Sequence, residues 1–271
     1  MVLGTAVAGL TCLADVTSAN IVGYNSTTHK PGKYNLISLP FAGVAGGTSK
    51  LKDALSYINL KGAEDYADAD IIQVWSYDEK GNGKYTDYMY YVDDTHEWDG
   101  WWNASATIEF DDCDENKDGL EAGWCAWYLS KGEDIPQMTF SGAVESSDDA
   151  QFWIYGGGYT LIANPFPVNL KLNDSSAVNW GKPCGAEEYA DADIIQVWGF
   201  DAKGNGFYTD FMYYEDDTHE WDGWWNANAT IIFEDVPGFE NGLATGTAFW
   251  YLSRDAKGTN HKITFYSPLS K

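Results

Sequence analysis

The chain has 271 residues, with 41 Asp and Glu against 16 Lys and Arg, and its formal net charge of -25 excludes a protein that wraps phosphate backbones or clings to anionic lipid. Aromatic residues make up 16% and hydrophobic residues 44%, so there is apolar surface enough for a core, in a composition that favours strands and turns over helices. Such acidity suits an extracellular protein kept soluble by charge, or one that recruits divalent cations.

The chain opens on an apolar arm, residues 1–19. Val2 to Ala14 reads like the apolar region of a secretory signal, with a cleavage-like T-S-A at Thr17 to Ala19, but no Lys or Arg precedes it. The run is too short to span a membrane. Retained, the arm is a candidate donor strand: Val2, Leu3, Gly4, Thr5, Ala6, Val7, Ala8, Gly9 and Leu10 alternate small and larger residues, as a tight groove on a neighbouring subunit requires.

The first copy of a duplicated β-domain follows over 20–143. YNLISLPF (Tyr34 to Phe41) is an apolar run closed by Pro and Phe. Thr48 to Leu60 is the best helix candidate, with Leu51, Leu55 and Ile58 on one face and no convincing equivalent later in the chain. DIIQVWSY (Asp70 to Tyr77) and YTDYMYYV (Tyr85 to Val92) predict two strands of a hairpin around the turn Asp78 to Gly83. Lys80-Gly-Asn-Gly83 resembles a phosphate loop only superficially, since no helix follows and the surrounding charge is acidic.

DDTHEWDGWWN, Asp93 to Asn103, comes next. It returns letter for letter at Asp216 to Asn226, 123 positions later. Three readings are open. As a metal site it offers Asp93, Asp94, Glu97, Asp99 and His96. As a saccharide platform it offers Trp98, Trp101 and Trp102, with Trp221, Trp224 and Trp225 in the second copy. As architecture, its tryptophans pack between sheets while the acids stay wet.

A sharper calcium signal is the loop Asp114-Glu-Asn116-Lys-Asp118-Gly119, the D-x-N-x-D-G half of an EF-hand-type loop. Cys125 stands where the bidentate Glu belongs, leaving Asp112 or Glu121 to complete a set with Asp114, Asn116 and Asp118. Cys113 and Cys125 flank this loop and are expected to close it as a disulfide, because Val236 and Ala248 replace both together in the second copy. Cys12 and Cys184 are then left over. AWYLS (Ala126 to Ser130) and MTFSG (Met138 to Gly142) end the copy.

The second copy, 144–271, repeats the order. Ala63 to Phe110 aligns with Ala186 to Phe233 without a gap; YTLIANPF, FWYLS and ITFYS match the flanking runs. A period this long is domain duplication, not a solenoid. Tyr77 becomes Phe200 and Tyr88 becomes Phe211, which suggests rings that pack. Asn25, Asn103, Asn173 and Asn228 are N-x-S/T sequons, candidates for glycosylation. No G-x-S-x-G, H-E-x-x-H or Cys-His pattern occurs, so no enzyme and no organic cofactor is expected.

The ordered elements Leu36 to Phe41, Ala69 to Trp75, Asp99 to Trp102, Gly123 to Leu129 and Thr139 to Gly142 resemble a group of secreted β-rich proteins of environmental bacteria, of the Verrucomicrobia and Planctomycetes kind. In the second copy they are Leu161 to Phe166, Ala192 to Trp198, Asp222 to Trp225 and Gly246 to Leu252, but the last strand ends in Tyr266-Ser267. The resemblance covers nearly all the chain after residue 20. It implies export and tandem β-sandwiches of jelly-roll or immunoglobulin-like type, and no activity. The plan of tandem β-domains behind an apolar arm is similar to fibre subunits linked by strand exchange. The expectation is a secreted, self-polymerising structural subunit of an extracellular filament or surface layer, with calcium as a candidate ion; the alternative is a glycan-binding protein using the tryptophan string.

Overall fold

A computed structural model describes residues 22–43, 48–78, 80–144 and 149–267. The arm, Val2 to Leu10, and Cys12 lie outside the described residues. In the first copy the strands are β1 (Val22–Thr28), β2 (Tyr34–Ser38), β3 (Leu55–Ile58), β4 (Ile71–Tyr77), β5 (Gly83–Tyr91), β6 (Gly100–Asn103), β7 (Cys125–Leu129) and β8 (Gln137–Ala143). In the second they are β9 (Asp149–Ile154), β10 (Tyr159–Ala163), β11 (Val178–Asn179), β12 (Ile194–Phe200), β13 (Gly206–Tyr214), β14 (Gly223–Asn226), β15 (Ala248–Leu252) and β16 (His261–Tyr266).

Each copy pairs a five-stranded with a three-stranded antiparallel sheet, in matching orders. The larger sheets run β2-β7-β4-β5-β6 and β10-β15-β12-β13-β14; the smaller run β1-β8-β3 and β9-β16-β11. Alternation along the strands sends one set of side chains inward. Ile37, Ile72, Tyr88, Ala126 and Tyr128 of the first large sheet meet Leu55, Met138 and Phe140 of its small sheet. Ile162, Ile195, Phe211, Phe249 and Tyr251 meet Val178, Ile263 and Phe265 in the second. Each core is thus a sandwich filling.

The expected helix over Thr48 to Leu60 is corrected. Only Leu51–Ala54 is helical, and the chain continues as β3. The Asp111 carboxylate accepts from the backbone N–H of Leu51 at 2.6 Å and of Lys52 at 3.1 Å, which fixes the turn but does not extend it. Tyr57 and Ile58 then pair in register with Met138 and Gln137. This segment has a counterpart after all: β11 pairs β16 as β3 pairs β8, and Glu234 accepts from Asn173 N–H at 2.9 Å.

A buried carboxylate ties each copy together. Asp70 accepts from Lys61 N–H at 2.9 Å, Tyr128 OH at 2.7 Å and Lys131 N–H at 2.6 Å. Asp193 accepts from Cys184 N–H, Tyr251 OH and Arg254 N–H in the same way. Three donors on one fully buried acid satisfy the groups that strand ends leave orphaned.

The outer faces of the two large sheets pack on each other. Cys125, Ala163 and Ala248 are buried between the copies with Leu36 and Leu161 beside them. Trp75 meets Trp250, and Trp127 meets Trp198. Gly83 and Gly206 seat two of these rings: an added Cβ would stand 2.0 Å from the Trp75 ring or 2.1 Å from that of Trp198.

Candidate functional site

The doubled string forms the loop between β5 and β6, and again between β13 and β14. Asp93 builds it. Its Oδ1 accepts from Thr95 N–H at 2.9 Å, Thr95 Oγ1 at 2.7 Å and His96 N–H at 2.8 Å. These bonds, led by the Thr95 hydroxyl, hold its carboxyl below the usual range. His96 turns the corner with φ 56° and sets Nδ1 3.0 Å from Asp99 Oδ2. Asp216, Thr218, His219 and Asp222 repeat every one of these contacts.

Strand alternation then divides the tryptophans. Trp101 and Trp224 point inward and are core residues, 5% and 0% exposed. The sequence expectation that they stack on a sugar is corrected on that ground. Trp98 and Trp221 stay 57% and 58% exposed. Each faces a half-buried neighbour: Trp98 lies 6.1 Å from Trp102 and Trp221 6.2 Å from Trp225, ring to ring, near right angles. The indole N–H of Trp102 donates to the Trp98 carbonyl at 2.9 Å, as that of Trp225 does to Trp221. In the first copy the pair walls a cleft of about 460 Å³ with Glu97, Asp99, Glu109 and Asp112 on its rim. One accessible indole face beside fixed carboxylates can stack on a hydrocarbon ring face and accept from hydroxyls.

The copies differ at one ligand position. Glu215 stands where the first copy has Val92, so Glu215, His219 and Asp222 bring three ligand atoms within 4.8 Å of one another. Bonding to Asp222, then the nearby acids, pushes the His219 imidazole upward in pKa.

The expected calcium set does not converge. Asp114 is almost fully exposed and pairs with Lys117 at 3.0 Å. Asn116 is buried and donates to Tyr88 OH at 3.0 Å and to the Phe110 carbonyl at 3.2 Å. Asp112 lines the tryptophan cleft, Glu121 lines a separate cavity between the copies, and Asp118 faces solvent. The sequence signal misleads because Asn116 serves the core.

The expected disulfide is also corrected: Cys113 and Cys125 carry free thiols. Cys113 lies in the first core, whereas Cys125 faces out of the sheet against Ala163 and Ala248. The two sulfurs are on opposite faces of one sheet. Burial pushes both thiols up in pKa.

Of the four sequons, Asn25 lies against Gly246 of the other copy, Asn103 closes a turn with Thr107, and Asn173 is bonded to Trp224 and Glu234. Asn228 is exposed. What sequence reasoning missed is the contact between copies, where Trp75, Trp127, Trp198 and Trp250 meet; the signal was their outward position on strands whose other face is apolar. Comparison of the chain with protein-family models, with curated proteins and with solved structures returns no match.

Proposed function

We propose that the chain is a secreted structural subunit of an extracellular filament or surface layer, without enzymatic activity. The arm Val2 to Leu10 adds as a strand to a free sheet edge of the next subunit, in a head-to-tail contact that does not close. The observation that carries this reading is the condition of the small sheets. Each ends in strands that have no further strand partner among the described residues. The edge strand β1 runs seven residues, with Val22 and Tyr24 59% and 79% exposed. A long edge with apolar side chains is a template for pairing unless it is covered. Electron microscopy of the full chain and of a variant lacking residues 2–19 tests it. Filaments lost on deletion, with both copies still folded, support the mechanism; filaments that persist refute it.

A second reading has its own observation. Trp98 and Trp221 present the same exposed face in both copies, each beside the same His–Asp pair, His96–Asp99 and His219–Asp222. That favours bivalent binding of a glycan, with two equal contacts per chain. The test is Trp98→Ala with Trp221→Ala on glycan arrays: glycan retention should fall while near-ultraviolet circular dichroism of the cores is kept. Unchanged retention rules the clefts out.

A further inference from the structure

The packed faces of the large sheets leave a pocket of about 270 Å³, lined by Tyr34, Gln73, Tyr85, Trp127, Trp198 and Tyr208. Five of the six are aromatic. No charged side chain lines it, in a chain of net charge -25. Tyr34, Tyr85 and Tyr208 are 43%, 45% and 39% exposed, so ring surface is accessible from solvent. Trp127 stands edge-on to Tyr34 at 6.1 Å and to Trp198 at 5.1 Å, which fixes the floor.

The Gln73 amide breaks the apolar wall. Gln73 Nε2 donates to Asp87 Oδ1 at 3.0 Å, which leaves the amide Oε1 as a neutral acceptor. The other Asp87 oxygen takes the Tyr66 hydroxyl, so this acid is used within the protein and not offered to a cation. The indole N–H of Trp198 is buried and has no acceptor.

That last feature marks this side of the interface. At the equivalent place on the opposite side, the Trp75 N–H donates to the Tyr159 carbonyl at 3.1 Å, and the Tyr77 hydroxyl donates to the same oxygen. Phe200 stands where Tyr77 stands and has no hydroxyl, and Trp198 makes no such bond. One side is closed by its own donors; on the other the Trp198 nitrogen is shut away without an acceptor.

An anion is disfavoured by the field, and a cation finds no unused carboxylate in the lining. An aromatic wall with one neutral acceptor suits a neutral ring that is apolar on its face and hydroxylated at its edge. The volume sits near the lower bound of about 300 Å³ for small-molecule sites, room for one ring and not for an oligomer. We propose that this pocket binds a single neutral pyranose, stacked on the aromatic wall and hydrogen-bonded to Gln73 Oε1, one per chain. This site is separate from the exposed Trp98 and Trp221 and needs no filament.

Isothermal titration of the full chain with glucose, galactose and mannose, and with a proline-rich peptide as contrast, tests it. The expected result is binding of at least one sugar at one site per chain. Tyr208→Ala and Gln73→Leu should each weaken it at least tenfold, with the near-ultraviolet spectrum kept. Trp98→Ala with Trp221→Ala should leave it unchanged. No binding of any of the three sugars up to about 50 mM, beyond the range of useful affinities, overturns the proposal. So does a stoichiometry of two that vanishes with the Trp98 and Trp221 changes, which assigns the sugar to the clefts. Indifference to both Tyr208→Ala and Gln73→Leu, or preference for the peptide, overturns it too.

Discussion

Trp127 stands edge-on to Trp198 at 5.1 Å, across the boundary between the two copies, and Trp75 stands edge-on to Trp250 at the same distance. Trp75 and Trp198 are equivalent in the duplication, as are Trp127 and Trp250. The contact is therefore reciprocal: each copy gives the same two rings and receives the same two. That is the pattern of a two-fold dimer interface, held here within one chain. Edge-on aromatic pairs contribute about 1 kcal/mol beyond their buried area. Trp75→Ala or Trp198→Ala should each cost about 2 kcal/mol, and the pair together should uncouple the copies. Differential scanning calorimetry should then resolve two transitions where the parent chain shows one. A single unshifted transition would contradict the coupling.

Tyr88 and Asn116 form a second paired feature, within one core. Asn116 donates to the Tyr88 hydroxyl at 3.0 Å. At the same positions the second copy has Phe211 and Phe239, ring to ring at 5.0 Å. A polar pair in one core has become an apolar pair in the other. Asn116→Phe alone removes the amide donor from the buried hydroxyl and should cost about 2 kcal/mol. Adding Tyr88→Phe should return most of that loss, since replacing both partners by apolar groups is nearly neutral. Urea midpoints of the two single variants and the double variant give the coupling. Additive losses would refute it.

These pairs show what the sequence made legible. The all-β class, the hairpin around Asp78 to Gly83 and the matching strands of the two copies follow from alternation, turn residues and repetition. The loss of hydroxyls at Phe200 and Phe211 was visible, but it suggested rings that only pack. Tyr77 and Tyr88 in fact bond their hydroxyls, and only the three-dimensional neighbour, Tyr159 or Asn116, reveals it. The calcium-like spacing misled for the same reason. A spacing reports which residues are near in sequence, and Asn116 is claimed by Tyr88, 28 positions away. The cysteines were close in sequence too, but alternation and a bend put them on opposite sheet faces. In the doubled string, which tryptophan is inward depends on where β6 begins, and Gly100 sets that register.

The three described cysteines differ in their access to solvent. Cys113 and Cys125 are buried, 6% and 8% exposed, and burial raises both thiol pKa values. Cys184 is half-buried in an irregular segment before Ala186, its thiol also raised, by burial and then by nearby acids. Thiolate fraction and access together set the alkylation rate. Iodoacetamide on the native chain at pH 8 should label Cys184 first of these three, and Cys113 and Cys125 only in denaturant. Peptide mass spectra taken without reductant should show no Cys113–Cys125 bridge. Finding that bridge in freshly purified chain would refute the packing described for β7.

His29 sets a pH dependence whose sign is fixed by its surroundings. The residue is buried, with its ring 5.3 Å from that of Tyr128 and its Nε2 3.1 Å from Thr27 Oγ1. Burial among these neutral groups pushes its pKa down to about 4. An unfolded histidine titrates near pH 6.5. Between these values the unfolded chain binds one more proton than the folded one, so stability falls as pH falls. The contribution is fully present above about pH 6.5 and is lost down to pH 4, by about 3 kcal/mol at most. His29→Gln keeps a neutral hydrogen-bonding group there and removes the titration. Carboxylates titrate in the same acid range in both chains, so the difference between them isolates His29. Urea midpoints at pH 7.5 and pH 4.5 should drop further for the parent than for His29→Gln. Equal drops would mean that His29 accepts a proton without opening the first core, and the burial argument would fail with it.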